Sequence, residues 1–297
     1  MVELREGDAL GRGECIAYPR YRETAEGVME TLQWVIPELE TGLEREDLTA
    51  LLPAGAARNA VDCALWDLAA KRSGRPVWEL AGLPAPQPLI TAFTLSIDTP
   101  EKMAAAAKAC AERPLLKLKL AGDGQDFARV AAVRAHAPQA RLIVDANEAW
   151  RPVDYARLAP ELAGLGVELI EQPFKAGEDA VLRDLPHPVA VCADESCHDT
   201  ETLEHLVGRY EVVNIKLDKT GGLTEALRVR TRALERGFGI MVGCMVATSL
   251  AMAPALLVAQ GARYVDLDGP LLLAKDREPG LVYEGSRVYP PDRALWG

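Results

Sequence analysis

Four short apolar runs in this chain each end in a charged side chain. They are RLIVDAN, VELIEQP, VAVCADES and VVNIKLDK, and the charges are Asp145, Glu171, Asp194 and Lys216. The intervals between those charges are 26, 23 and 22 residues, the length of one β-strand plus one α-helix, repeated. A fifth run, Leu115 to Leu120, alternates Leu and Lys, so on a strand Lys117 and Lys119 share one face while Leu116, Leu118 and Leu120 share the other. Alone, such a run reads as a half-exposed strand with solvated lysines; the recurrence downstream changes that reading. Strands are predicted at 89–95, 115–120, 142–145, 167–171, 189–194, 212–216, 239–243 and 263–268, with Ala/Leu/Arg-rich helical stretches between them. Eight strands with helical connections predict an α/β fold, a (β/α)₈ TIM barrel with its last helix modified. An open doubly wound sheet is disfavoured, because no GxGxxG follows the first strand. In a barrel the carboxyl ends of the strands converge on one mouth, which brings two lysines, three carboxylates and a third lysine together.

Composition narrows the partners. The formal net charge of −11 argues against nucleic acid or an anionic membrane surface and favours a small polar ligand. Six cysteines, at 15, 63, 110, 192, 197 and 244, form no CxxC pair, so neither a zinc site nor a secreted disulfide framework is indicated, and reduced thiols fit a cytoplasmic protein. No apolar run reaches membrane-spanning length, and MVELREGDALGRGE has no signal-peptide core.

In chain order, a strand over Val2 to Leu4 and a Gly-rich turn predict a hairpin that must pack on something. Val28, Leu32, Val35 and Leu39 recur at helical spacing from Thr24 to about Thr41. LPAGAARNAVDCALWDLAAKRSG predicts a second helix, with Gly74 as its stop and alanines that allow close packing. Its expected part is to glue two regions of the chain together, with Asp62 and Asp67 capped or paired locally. Three prolines between Gly82 and Pro88 mark a linker. The domains expected are 1–86 as the amino-terminal part of an α+β capping domain, 87–269 as the barrel, and 270–297 as a tail that folds back on the cap.

Three acids at the ends of consecutive parallel strands repel one another unless a cation lies between them. Oxygen-only ligands select a hard ion, so Asp145, Glu171 and Asp194 are candidate ligands for Mg²⁺, with Mn²⁺ as the other ion that fits. Lysine serves as a base only when neutral, and a neighbouring ammonium and a divalent ion would each lower its pKa. A metal that takes both oxygens of a carboxylate, flanked by lysines on opposite faces, suits removal of the proton α to that carboxylate and its return from the other side.

Here the chain resembles the enolase superfamily, in which Lys bases work with Mg²⁺ on an enediolate. The matching pieces are KLK at 117–119, DAN at 145, EQP at 171, DES at 194 and NIKLDKTGG at 214–222, and the lysine pattern is that of the muconate-lactonising subgroup. GECIAYPRY, LPAGAARNAVDCALWDLAA, GCMVATS and DLDGP resemble, more narrowly, the dipeptide epimerases that act on L-Ala-D/L-Glu. The resemblance implies that Asp266 and Asp268 bind the ammonium group of a dipeptide, that Lys119 and Lys216 are the two bases, and that Lys117 neutralises the substrate carboxylate. It also implies that Thr94 and Cys244 contact substrate, Cys244 through its backbone; Lys219, Glu195 and Asn147 neighbour the motifs and read as supporting or loop residues rather than catalysts. A sister activity (N-acylamino-acid racemase, cycloisomerase or o-succinylbenzoate synthase) would share the metal and the lysines. A non-catalytic binding barrel would have no use for opposed lysines. Family members begin with a further strand and a capping loop that carries a basic residue, which is expected to be missing ahead of Met1-Val2-Glu3-Leu4; the sequence leaves open whether the chain forms a homo-oligomer.

Overall fold

The computed structural model describes residues 1–297. Strands β1 (Val2–Glu6) and β2 (Ala9–Gly13) pair antiparallel from Val2↔Gly13 to Glu6↔Ala9, turning at Gly7 in the left-handed region (φ 56°). Helix α1 (Ala25–Glu40) begins where the Thr24 hydroxyl accepts the Gly27 N–H at 3.0 Å. After the single turn α2 (Leu48–Leu51) comes α3 (Ala56–Ser73), which ends at Gly74 with φ 72°. Val35, Leu48, Leu52 and Val61 are the small core of this unit.

The hairpin packs on α3 through residues with almost no side chain. A Cβ at Gly13 would lie 2.0 Å from the Ala60 carbonyl oxygen, and one at Gly11 would lie 2.3 Å from that of Ala64. Only Gly against Ala lets these backbones approach so closely. On its other side α3 grips the barrel: Arg58 donates to the carbonyls of Thr220 and Gly221, Trp66 Nε1 donates to Thr224 Oγ1 at 2.9 Å, and Asp62 accepts the Thr224 N–H at 3.0 Å. The expectation of local partners for Asp62 is thus overturned. Thr224 is 162 residues away, because this face of α3 is covered by the barrel rather than by solvent. Asp67 has a local partner in Lys71, and also accepts N–H groups from Arg12 and Gly297.

Following the single turn α4 (Val77–Leu80), β3 (Leu89–Ile90) and β4 (Phe93–Leu95) come from what the sequence suggests is one strand, 89–95. The chain changes sheets between them: the Thr91 N–H donates to Ser286 O, while its hydroxyl accepts the Leu267 N–H at 2.8 Å. From β4 the barrel runs α5 (Pro100–Ala109), β5 (Leu115–Lys119), α6 (Asp126–His136), β6 (Arg141–Asp145), α7 (Pro152–Gly164) and β7 (Val167–Glu171). It continues through a 3₁₀ segment (Asp179–Asp184), β8 (Ala190–Ala193), α8 (Leu203–Leu206), β9 (Val212–Ile215), α9 (Leu217–Thr220), α10 (Leu223–Glu235), β10 (Gly239–Val242), α11 (Ser249–Val258) and β11 (Tyr264–Val265). The eight strands β4 to β11 form one parallel sheet in sequence order, and the Ala92 N–H closes it on the Val265 carbonyl at 2.7 Å. As expected, the last helix is modified: a 3₁₀ turn (Gly269–Leu272) follows β11. The tail forms a hairpin, β12 (Tyr283–Glu284) and β13 (Arg287–Val288), that pairs with β3, and its last residues return to α3, where Trp296 Nε1 donates to Cys63 O at 3.0 Å.

One buried cluster contains Ala92, Leu115, Ile143, Leu169, Cys192, Val212, Met241 and Tyr264, one residue from each barrel strand or its approach. These side chains fill the barrel interior. Two residues further along each chain segment, where the pleat returns to the same face, stand Thr94, Lys117, Asp145, Glu171, Asp194, Asn214, Gly243 and Asp266. The apolar floor is therefore followed by a ring of polar groups.

Candidate active site

The structure brings the three acids together, with ligand-competent oxygens of Asp145, Glu171 and Asp194 all within 4.8 Å of one another and each residue buried. Asp145 and Glu171 are the last residues of β6 and β7 and sit opposite each other in register, and Lys119 is opposite Asp145 on β5. Asp194 lies just past the end of β8. Strand β5, which carries Lys117 and Lys119, and β9, which Lys216 directly follows, flank the three strands β6 to β8 on either side. Lys119 Nζ lies 2.6 Å from Asp145 Oδ2, and Lys216 Nζ lies 2.6 Å from Asp194 Oδ2. Lys117, only 2 % exposed, reaches Glu171 Oε2 at 2.7 Å, Asp266 Oδ2 at 2.8 Å and Asp145 Oδ2 at 3.2 Å.

Electrostatics here follow from burial opposed by pairing. Burial raises Asp145, but Lys119 and Lys117 outweigh it and hold the carboxyl at about 2. Burial and then Asp145 push Glu171 up to about 7, against the pull of Lys117. Asp194 is buried too, yet Lys216 and Lys219 hold it well below the ordinary range. Burial does disfavour the ammonium, but Asp266, Glu171 and Asp145 around Lys117, and Asp194 beside Lys216, hold both well above the usual lysine range. A divalent cation on the three carboxylates would cancel that attraction. The donor set fits such an ion: three carboxylates, all oxygen, with Glu171 Oε2 buried and lacking a hydrogen-bond donor of good geometry.

Thr94 and the acids of DLDGP adjoin this cluster. The predicted strand 263–268 is shorter than expected, so Asp266 and Asp268 follow β11 and Asp268 leads into the 3₁₀ turn. Asp268 Oδ2 accepts the Thr94 N–H at 2.7 Å, while burial and then Asp266 raise its carboxyl to about 6. Asp266 turns one oxygen to Lys117 and leaves Oδ1 buried without a partner. Cys244 sits beside both acids, and burial followed by Asp266 and Asp268 holds its thiol protonated.

Residues within the quoted motifs surround this cluster, and the contacts they make emerge only from the fold. Lys219, 1 % exposed, bonds Asp194 Oδ1 at 2.7 Å and Asn214 O at 2.8 Å. Asn214 donates to Glu171 Oε1 at 2.7 Å. A Cβ at Gly243 would lie 2.7 Å from Asn214 Oδ1 and 3.1 Å from Lys216 Cε, so glycine there makes room for both side chains. The Asn147 N–H supports Asp145 Oδ1 at 2.9 Å, and Glu195 is raised to about 8 by burial and the neighbouring Asp194. The inward period of two, continued from the apolar floor, is the signal that finds Asn214 and Gly243. Segment 14–22 lies across the loops at the carboxyl ends of the strands. Its Ile16 N–H donates to Asp218, Arg20 forks onto Glu148 at 2.5 Å, and Tyr21 packs edge-on against His198 at 4.9 Å.

Comparison with known proteins places this geometry. Residues 102–294 match the family described as enolase C-terminal domain-like, and residues 1–82 match the mandelate racemase/muconate lactonizing enzyme amino-terminal domain. The chain is 50% identical to an L-Ala-D/L-Glu epimerase from Escherichia coli (strain K12) over 292 residues, covering 97% of this chain and 90% of that one. It is 47% identical to an N-acetyl-D-glutamate racemase from a Pseudoalteromonas species, covering 100% and 94%. A crystal structure of an enolase family member from Agrobacterium tumefaciens with homology to dipeptide epimerases, which holds sodium and L-Ala-L-Glu, superposes with a TM-score of 0.97 at 54% identity, covering 99% and 90%. From these matches and the shared fold, the chain belongs to the enolase superfamily, in its mandelate racemase/muconate lactonizing branch and the dipeptide epimerase family within it.

Proposed function

We propose that this protein is a Mg²⁺-dependent isomerase that interconverts L-Ala-D-Glu and L-Ala-L-Glu. The observation that carries the reading is a pair of lysines placed on either side of a buried three-carboxylate cluster, with two further acids alongside. Asp145, Glu171 and Asp194 would hold one hard divalent ion, Mg²⁺ or Mn²⁺. Bound there, it supplies a Lewis acid for the substrate carboxylate and the charge that grows on it as the α-proton leaves. Lys119 takes the α-proton of one epimer while Lys216 delivers a proton to the opposite face; for the other epimer the two exchange parts. Lys117, charged and buried, offsets the negative charge of the carboxylate. Asp266 and Asp268, paired acceptors beside the Thr94 N–H, bind the ammonium end of the dipeptide, and the Cys244 backbone lines the same pocket. The substrate class fits dipeptides released from peptidoglycan within the cytoplasm.

The identity to an N-acetyl-D-glutamate racemase favours a second reading, a racemase of N-acylated glutamate. It shares the ion and the lysines but leaves Asp266 Oδ1 without a cation to accept. Incubating the protein with Mg²⁺ and either L-Ala-L-Glu or N-acetyl-L-glutamate in D₂O separates the two. Loss of the α-proton NMR signal and formation of the other epimer from the dipeptide are expected. Turnover confined to N-acetylglutamate would overturn the dipeptide assignment.

A further inference from the structure

Asp194 differs from the two other acids of the cluster in how its backbone is held. Asp145 and Glu171 are the last residues of β6 and β7, inside the hydrogen-bonded ladder, whereas β8 ends at Ala193. The β7–β8 register runs Leu169↔Ala190, Ile170↔Val191 and Glu171↔Cys192, and the Gln172 N–H adds a last bond to Cys192 O at 2.8 Å. Beyond that point the side chain of Gln172 takes over from the ladder. Its Oε1 accepts the backbone N–H of Asp194 at 2.8 Å and that of Ser196 at 3.1 Å. Its Nε2 faces Phe174 O at 2.8 Å, Ser196 Oγ at 2.9 Å and Tyr210 OH at 3.0 Å. Those two hydroxyls each donate onward to Asp179 Oδ2 at 2.6 Å, and Asp179 also pairs with Arg209.

From this we infer that Gln172 is a positioning residue that sets the separation of Glu171 and Asp194, using its amide as a substitute for missing sheet hydrogen bonds. Three facts carry it. Gln172 is fully buried, so every one of its polar contacts is made inside the protein. Its φ of 34° lies in the left-handed region, which a non-glycine side chain occupies only when its surroundings hold it there. Its head group must accept two N–H groups on one side and donate on the other, which an amide does and a carboxylate does not. Asp179, Ser196 and Tyr210 then brace the amide from behind. The inference rests on the proposed use of Asp145, Glu171 and Asp194 as metal ligands, and concerns the group that keeps two of them in register.

Mg²⁺ titration of the metal-stripped full chain, followed by calorimetry and by thermal shift, tests it alongside steady-state kinetics. Gln172→Ala is expected to weaken Mg²⁺ binding by roughly 10- to 100-fold, the usual effect of removing a group that orients a metal ligand. At a temperature well below the variant's melting point, where the chain is folded with or without the ion, activity should recover toward wild type as Mg²⁺ is raised; loss of stability alone would leave the Mg²⁺ dependence there unchanged. Tyr210→Phe leaves the Gln172 carbonyl contacts intact and removes one brace; roughly threefold weaker Mg²⁺ binding is expected, and this variant decides the matter should Gln172→Ala fail to fold. Mg²⁺ affinity equal to wild type in the folded variants, even with a lowered melting temperature, would overturn the role of Gln172. A wild-type chain that shows no response to Mg²⁺ would instead overturn the metal reading on which it rests.

Discussion

Asp194 takes an ammonium on each oxygen, Lys216 on Oδ2 and Lys219 on Oδ1, so its carboxylate is held more firmly than a lone acid at a strand end could be. Asp194→Asn removes that charge and should abolish turnover and suppress the Mg²⁺-induced rise in melting temperature, measured by thermal shift; a rise equal to wild type would show that the ligand set is wrong. Lys119→Ala and Lys216→Ala should each stop net epimerisation yet still let one epimer exchange its α-proton with D₂O, because one base remains on one face. Equal exchange of both epimers by either variant would sink the two-base reading. Gly243→Ala places a methyl against Asn214 and Lys216, so kcat should fall at least tenfold with little change in melting temperature, as a small displacement of a reacting group costs rate before stability. At this scale the charged residues were legible, since each ends an apolar run. The pairing of Asp194 was not: Lys219 was legible as a supporting or loop residue, but only the fold sets it on Asp194 Oδ1, opposite Lys216 on Oδ2.

At the level of elements, α3 joins the cap to the barrel and carries polar side chains on the face it buries. Asn59 Nδ2 donates to Asp218 Oδ1 at 2.8 Å, and the Ile16 N–H donates to the same oxygen at 3.0 Å. Burial nevertheless raises Asp218 from the ordinary 3.8 to about 6. The folded state therefore holds this proton more tightly than the unfolded chain does. That contribution to stability is complete below about pH 4 and is lost as the pH rises through about 6. Keeping the charge buried at neutral pH costs up to about 3 kcal/mol. Asp218→Asn retains an acceptor oxygen and removes the charge, so its melting temperature at pH 7 should exceed that of wild type and its stability should change less between pH 4 and 7. An unchanged pH slope would show that this carboxyl does not titrate within the fold. Gly13→Val should destabilise the protein by about 3 kcal/mol or more in urea unfolding, because backbone atoms of α3 stand where its side chain would go. The helices of the repeat did not all form, since a 3₁₀ segment stands between β7 and β8 and a single turn between β8 and β9, but the existence and order of the strands followed from it. Their ends did not, as the divided strand at 89–95 shows: Thr91 makes one hydrogen bond to the tail and another to the loop after β11, and neither partner is near in sequence.

Across the whole molecule, an apolar barrel floor supports a charged ring, and the ring's mutual repulsion is relieved by lysines in this arrangement. Mg²⁺ binding to the native chain should raise the melting temperature by several degrees at saturation, reversed by EDTA, since a ligand at about 100 times its Kd adds about 2.7 kcal/mol to stability. By itself the sequence determined the fold class, the strand order and which charges stand at strand ends. A period of two within each run and of 22 to 26 residues between runs leaves few other ways to bury those apolar faces. Only the tertiary structure decided how those charges pair, and therefore in which direction each is shifted. Pairing depends on distances of about 3 Å between residues such as Lys117 and Asp266, 149 positions apart, and on how far each is removed from water. The same holds for Gln172 and Gly243, whose parts depend on the space left by neighbours that the linear order does not place beside them.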